Sequence, residues 1–119
     1  MTLVRKIKDK RVNFEFNKEY IKVVTDKISN NDTTFISNSF KEMHPADAAD
    51  IIEHLDQNDR ENLIKLNNFK IEPEVFVELN EAIQTEIINY LSIESVVFIL
   101  KNLESDDAIK IIENLDEKN

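Results

Sequence analysis

The chain has 119 residues, 41% of them hydrophobic, which is enough for one domain with a buried core. No run of about 18 apolar residues and no short apolar stretch with a small-residue cleavage site is present, so neither a membrane-spanning helix nor export is expected. The net charge of −9 is uneven: residues 1–40 carry eight Lys/Arg against five Asp/Glu, and residues 41–119 carry seven against nineteen, a balance that disfavours nucleic acid and anionic lipid and favours cations or a basic partner.

Residues 1–17 are read as an N-terminal arm. Arg5-Lys6-Ile7-Lys8-Asp9-Lys10-Arg11 is basic, and Val12, Phe14 and Phe16 alternate weakly with polar residues. From residue 18 the pattern is helical and is taken as one domain, 18–119. Tyr20, Ile21, Val24 and Ile28 lie on one helical stripe, and Ile36, Phe40 and Met43 follow on a second. Because the chain has no glycine, turns that need a positive φ must use Asn, and Asn30-Asn31, Asn67-Asn68 and Asn102 fall where such turns belong.

The remainder is an internal repeat of 24 residues. Leu55, Leu79 and Leu103 share this spacing, as do Ile51, Val75 and Ile99, and Ile52, Phe76 and Leu100. In the second half of each unit Leu63, Ile87 and Ile111 correspond, and so do Ile64, Ile88 and Ile112. Each unit reads as two short helices joined by a tight turn. Pro45 suits the first helical position after His44, and Pro73 stands near the next such start. Asn80, Ser92 and Ser105 are candidate N-caps, the last followed by Asp106 and Asp107 in the first turn, where the helix dipole favours anions. One pair of short helices cannot bury its apolar face, so neighbouring units must stack. The expected fold is therefore all-α, a short superhelical α-solenoid of stacked helical hairpins.

Catalytic constellations are absent. Without glycine or cysteine there is no phosphate-cradling glycine loop and no thiolate nucleophile, and the serines lack a nucleophile-elbow context. His44 and His54 are separated by about 15 Å of helical rise, too far to share a zinc ion. What remains is carboxylate chemistry toward hard cations: Mg²⁺ takes oxygen ligands and keeps several waters, so one or two surface carboxylates can hold it. Asp47 with Asp50, and Asp106 with Asp107, are candidates by spacing, although Asp47 and Asp106 also serve helix dipoles.

Met43-His44-Pro45-Ala46-Asp47-Ala48-Ala49-Asp50-Ile51-Ile52-Glu53-His54-Leu55 resembles the opening motif of the N-terminal cytosolic domain of MgtE magnesium transporters, and Ser105-Asp106-Asp107-Ala108-Ile109-Lys110-Ile111-Ile112-Glu113-Asn114-Leu115 resembles that family's later units. The resemblance covers about residues 34–116. It implies a non-enzymatic regulatory domain that senses intracellular Mg²⁺ through acidic residues facing CBS modules, on the cytoplasmic side of the bacterial inner membrane. The partners it implies are CBS and transmembrane domains of the same chain, in a full-length homodimer, with this piece alone expected to be a monomer. Carried over by position, Glu74 and Asp106 are the expected metal-facing carboxylates, and Asp107, paired with Asp106 in the first turn, is counted with them. Lys110, one turn after Asp106, stands where relatives often have an acid. The alternative is a protein-interaction solenoid of the flagellar motor switch type, without a metal role.

Overall fold

The structure, a computed structural model, describes the backbone of residues 13–66 and 69–118 and the side chains of residues 18–66 and 69–113. Among the described residues there are eight helices and no strand: α1 (Asn13–Ser29), α2 (Thr33–Glu42), α3 (Pro45–His54), α4 (Gln57–Lys65), α5 (Pro73–Glu78), α6 (Glu81–Ile88), α7 (Ile93–Lys101) and α8 (Ser105–Lys118). The first helices of successive hairpins, α3, α5 and α7, pack side by side, and so do the second helices α4, α6 and α8. This is the two-layer stack that a 24-residue repeat demands. α1 packs on α2, α3 and α4 and closes the first end of the stack. One continuous core runs from Tyr20 on α1 to Ile111 on α8.

Local chemistry explains most helix ends. Asp32, Asp56, Asn80 and Ser92 each accept a bond from a backbone N–H three residues on, the last two as the spacing predicts. Pro45 and Pro73 stand at the first turns of α3 and α5, where a missing N–H costs nothing. Asn31 takes φ +56° between α1 and α2, the left-handed conformation expected of that Asn pair. Two expectations are corrected. Asn102 ends α7 at φ −102°, so its turn needs no left-handed residue; its side-chain amide instead donates to the Phe98 carbonyl at 2.8 Å. Ser105 is already the first residue of α8 and Glu104 holds the N-cap place, since the Ala108 N–H donates to the Glu104 carbonyl. Residues 1–12 of the expected arm and Asn67-Asn68 lie outside the described residues. Phe14 and Phe16 belong to α1, so their alternation is not that of a strand.

The repeat holds down to backbone dihedrals. Leu55 and Leu79 end α3 and α5 at φ/ψ of −70°/154° and −74°/150°, both 4% exposed, and Asp56 and Asn80 follow as N-caps. Ile51, Val75 and Ile99 are all buried, as are Leu63, Ile87 and Ile111. The third unit is looser: Leu100 and Leu103 are half-buried and Ile112 is 45% exposed, because no fourth hairpin among the described residues covers them.

A polar repeat runs beside the apolar one. Arg60 and Gln84, 24 residues apart, are the two buried polar side chains of the described residues. Gln84 donates to the Phe76 carbonyl at 3.0 Å. Arg60 reaches the equivalent Ile52 carbonyl at 3.5 Å, together with those of Glu53 and Leu55. Each satisfies the orphan carbonyls at the end of its hairpin's first helix. Arg60 also crosses to the next hairpin, with Nε and Nη2 at 2.9 and 3.0 Å from the two Glu86 carboxylate oxygens, and Tyr90 donates to the same carboxylate at 2.9 Å. Ala108 stands at the third position of this series and can make no such bond.

The Arg60 hydrogen bonds hold the Glu86 carboxyl below its usual range, against the opposing effect of burial. A depressed pKa gives stability that is fully present above the unfolded glutamate value of about 4.3 and is lost as pH falls through the folded value. Asp59, raised by burial and then by Asp56, acts in the opposite sense and is relieved as it protonates. Urea midpoints followed through the acid range should therefore fall for the wild type, and Glu86→Gln should flatten that fall. An identical acid slope in both proteins would remove Glu86 from the account.

Candidate functional site

Stacking brings three turns of chain together on one flank. The start of α3 at His44, the exposed side of α5 at Glu74 and Glu78, and the α7–α8 turn at Asn102, Glu104 and Asp107 line an open groove of about 450 Å³. Glu74 and Glu78 share a face because they are four residues apart on one helix. Asp107 reaches the groove from the first turn of α8, and Glu104 from the N-cap place before it. Four carboxylates line the groove and no lysine or arginine does. Its potential is therefore negative, and its donor set is hard oxygen, the kind that Mg²⁺ and Ca²⁺ prefer.

Of the sequence-derived site residues, Glu74 and Asp107 line this groove. Asp106 is exposed on the first turn of α8 and is not part of the lining, and Lys110 is exposed one turn further on. Asp47 is also outside it, and Asp50 sits beside His54, whose Nδ1 lies 3.6 Å from the carboxylate and 2.7 Å from the Asp50 carbonyl. Glu78 and Glu104 were missed in the sequence. Glu78 could have been found from its i, i+4 spacing to Glu74, and Glu104 from its 24-residue spacing to the caps Asp56 and Asn80.

Among the described residues no three His, Cys, Asp or Glu side chains converge as a metal site. The groove thus offers carboxylates for a hydrated cation but not a full coordination shell. A cation held here keeps its waters or takes its remaining ligands from another surface.

Stacked hairpins with an acidic flank define the class: an all-α solenoid domain with a cation-attracting surface. Among the described residues no helix is long and apolar enough to cross a membrane. The model of the MgtE intracellular N domain matches residues 43–119, more than half of the chain, and the chain belongs to that family. That family is the intracellular N domain of magnesium transporters and is not a known enzyme family. The match begins at Met43, the first residue of the opening motif, so α1 and α2 precede the matched region. No curated protein and no solved structure matches the chain.

Proposed function

We propose that the domain senses intracellular Mg²⁺ and gates transport by presenting the Glu74–Asp107 groove to CBS modules of a full-length homodimeric transporter in the bacterial inner membrane. The observation that carries this reading is the groove itself: four carboxylates from two hairpins on one open face, without a neutralising cation side chain. When Mg²⁺ is abundant, hydrated ions between this face and an opposing acidic surface screen the repulsion and hold the two together. When Mg²⁺ falls, like charges separate them. No step of catalysis is required of the domain.

Two results are expected. Residues 1–119 alone supply half a shell, so calorimetry should give a Kd for Mg²⁺ on the order of millimolar or poorer. Joined to its CBS modules, the domain should gain protease resistance as Mg²⁺ rises. Glu74→Gln and Asp107→Asn should shift that protection to higher Mg²⁺. Asp106→Asn, outside the groove, should shift it less, and Lys110→Asp, which adds negative charge beside Asp106, should move it to lower Mg²⁺. Protection independent of Mg²⁺ would overturn the sensor reading, and micromolar binding to residues 1–119 alone would overturn the half-site.

A further inference from the structure

The 24-residue repeat breaks at one place. α4, α6 and α8 begin at residues 57, 81 and 105, and α3 and α7 at 45 and 93, each in register. By the same register α5 should begin at Phe69, but it starts at Pro73. It is six residues long against ten for α3 and nine for α7. Pro73 is the cause. A helix running back through residues 69–72 would need an N–H that Pro73 lacks and would drive its ring into the Phe69 carbonyl. The residue before it, Glu72, is held at φ/ψ of −74°/143°, outside the helical region. The second hairpin therefore lacks the first turn of its first helix.

Where that turn is missing, a cleft of about 570 Å³ opens between the end of α4, the connector before α5, the α6–α7 turn and the start of α7. Its lining comes from residues 64–99, and none of it is shared with the Glu74–Asp107 groove. The walls are fixed before anything enters. Ile71 and Ile99 are 5% and 3% exposed, and Phe69 packs edge-on against Phe40 with ring centroids 5.5 Å apart. The Tyr90 hydroxyl donates to the Glu86 carboxylate at 2.9 Å. With Phe98, three aromatic rings stand around the cleft. A preformed, largely apolar cleft of this volume with a few polar groups has the character of a small-molecule site. The charges select the sign of the ligand. Lys65 is paired with Glu61 at 2.6 Å. Glu94 stands in the first turn of α7, where the positive helix end offsets part of its charge. Lys70 lines the cleft, is exposed and has no ion pair among the described residues. We infer that the cleft binds a small carboxylic acid with an aromatic body, the rings taking the body and Lys70 the carboxylate.

The test is an NMR titration of the 119-residue chain with phenylbutyrate, and with phenylbutanol and phenylbutylamine as controls that carry the same body. The acid should shift the amide signals of Ile71, Leu91, Ser95 and Ile99 saturably. A Kd of about 1 mM is expected for a ligand of about 12 non-hydrogen atoms. The alcohol should bind more weakly, and the amine more weakly still. Lys70→Glu, at an exposed position, should weaken the acid about tenfold, the worth of one charged contact, and Glu94→Gln should tighten it. Ser95→Leu, which fills the cleft, should abolish the shifts with helix content by circular dichroism unchanged. An absence of localised shifts up to about 10 mM acid overturns the inference. So do equal affinities for acid, alcohol and amine, or binding untouched by Lys70→Glu, because an apolar cleft alone would give both. Shifts that survive Ser95→Leu place the ligand elsewhere and overturn it as well.

Discussion

Arg60→Ala should destabilise the domain by about 3 kcal/mol, near the lower end of the range for breaking a buried ion pair. The side chains of Arg60 and Glu86 are 11% and 19% exposed, so water screens the pair only in part. Removing the guanidinium leaves the Glu86 carboxylate with the Tyr90 hydroxyl as its hydrogen-bond partner among the described residues. It also strips the side-chain donor from the Ile52, Glu53 and Leu55 carbonyls at the end of α3. The first loss is charge left in partial burial, and the second is unpaired backbone, and the two act together. With a urea m-value of about 2 kcal/mol/M the midpoint should drop by about 1.5 M. Glu86→Gln, which keeps the shape and an acceptor oxygen, should cost less. A double-mutant cycle between the positions should show coupling well above that of an exposed pair, which is typically below about 1 kcal/mol. A midpoint within about 0.3 M of wild type in Arg60→Ala would mean that water replaces the whole network.

This clamp also marks the limit of what the sequence discloses. Apolar periodicity made the stacked hairpins legible because each leucine and isoleucine at 24-residue spacing must meet its counterpart in the next layer. Arg60 carries no such signal: a lone arginine among Asn58, Asp59, Glu61 and Asn62 reads as one more charge on a solvated helix face. Only its alignment with Gln84, two polar residues in register with the apolar repeat, could have marked it as inward-facing. The groove was partly legible. Glu74 comes from the family resemblance and Asp107 from its pairing with Asp106 in the first turn, but their meeting on one flank depends on how hairpins two and three are stacked, which spacing does not specify. Asp106 illustrates the opposite error. It stands beside Asp107 in sequence, yet neighbouring helical residues point about 100° apart, so both need not face one groove.

Leu79→Ala tests the architecture most directly and should be about as costly, at about 2–5 kcal/mol. Leu79 is 4% exposed in the core cluster, at the corner where α5 ends, and its backbone N–H donates to the Phe76 carbonyl at 3.1 Å. Its side chain is buried within the core cluster, so truncation leaves a void that rigid neighbours can refill only in part. The repeat supplies internal controls. Leu55→Ala should cost a similar amount, because Leu55 is equally buried and ends α3 with nearly the same dihedrals. Leu103→Ala, at a half-buried site of the open last hairpin, should cost less. Ile93→Ala, at 80% exposure, should cost within about 0.5 kcal/mol of nothing. In a domain of this size each kcal/mol moves the melting temperature by about 4 °C, so Leu79→Ala should melt about 8–20 °C lower. The order Leu79 ≈ Leu55 > Leu103 > Ile93 is the discriminating readout. If Leu79→Ala proved no more harmful than Leu103→Ala, the hairpins would not be stacked as equivalent layers, and the groove that depends on that stacking would lose its basis.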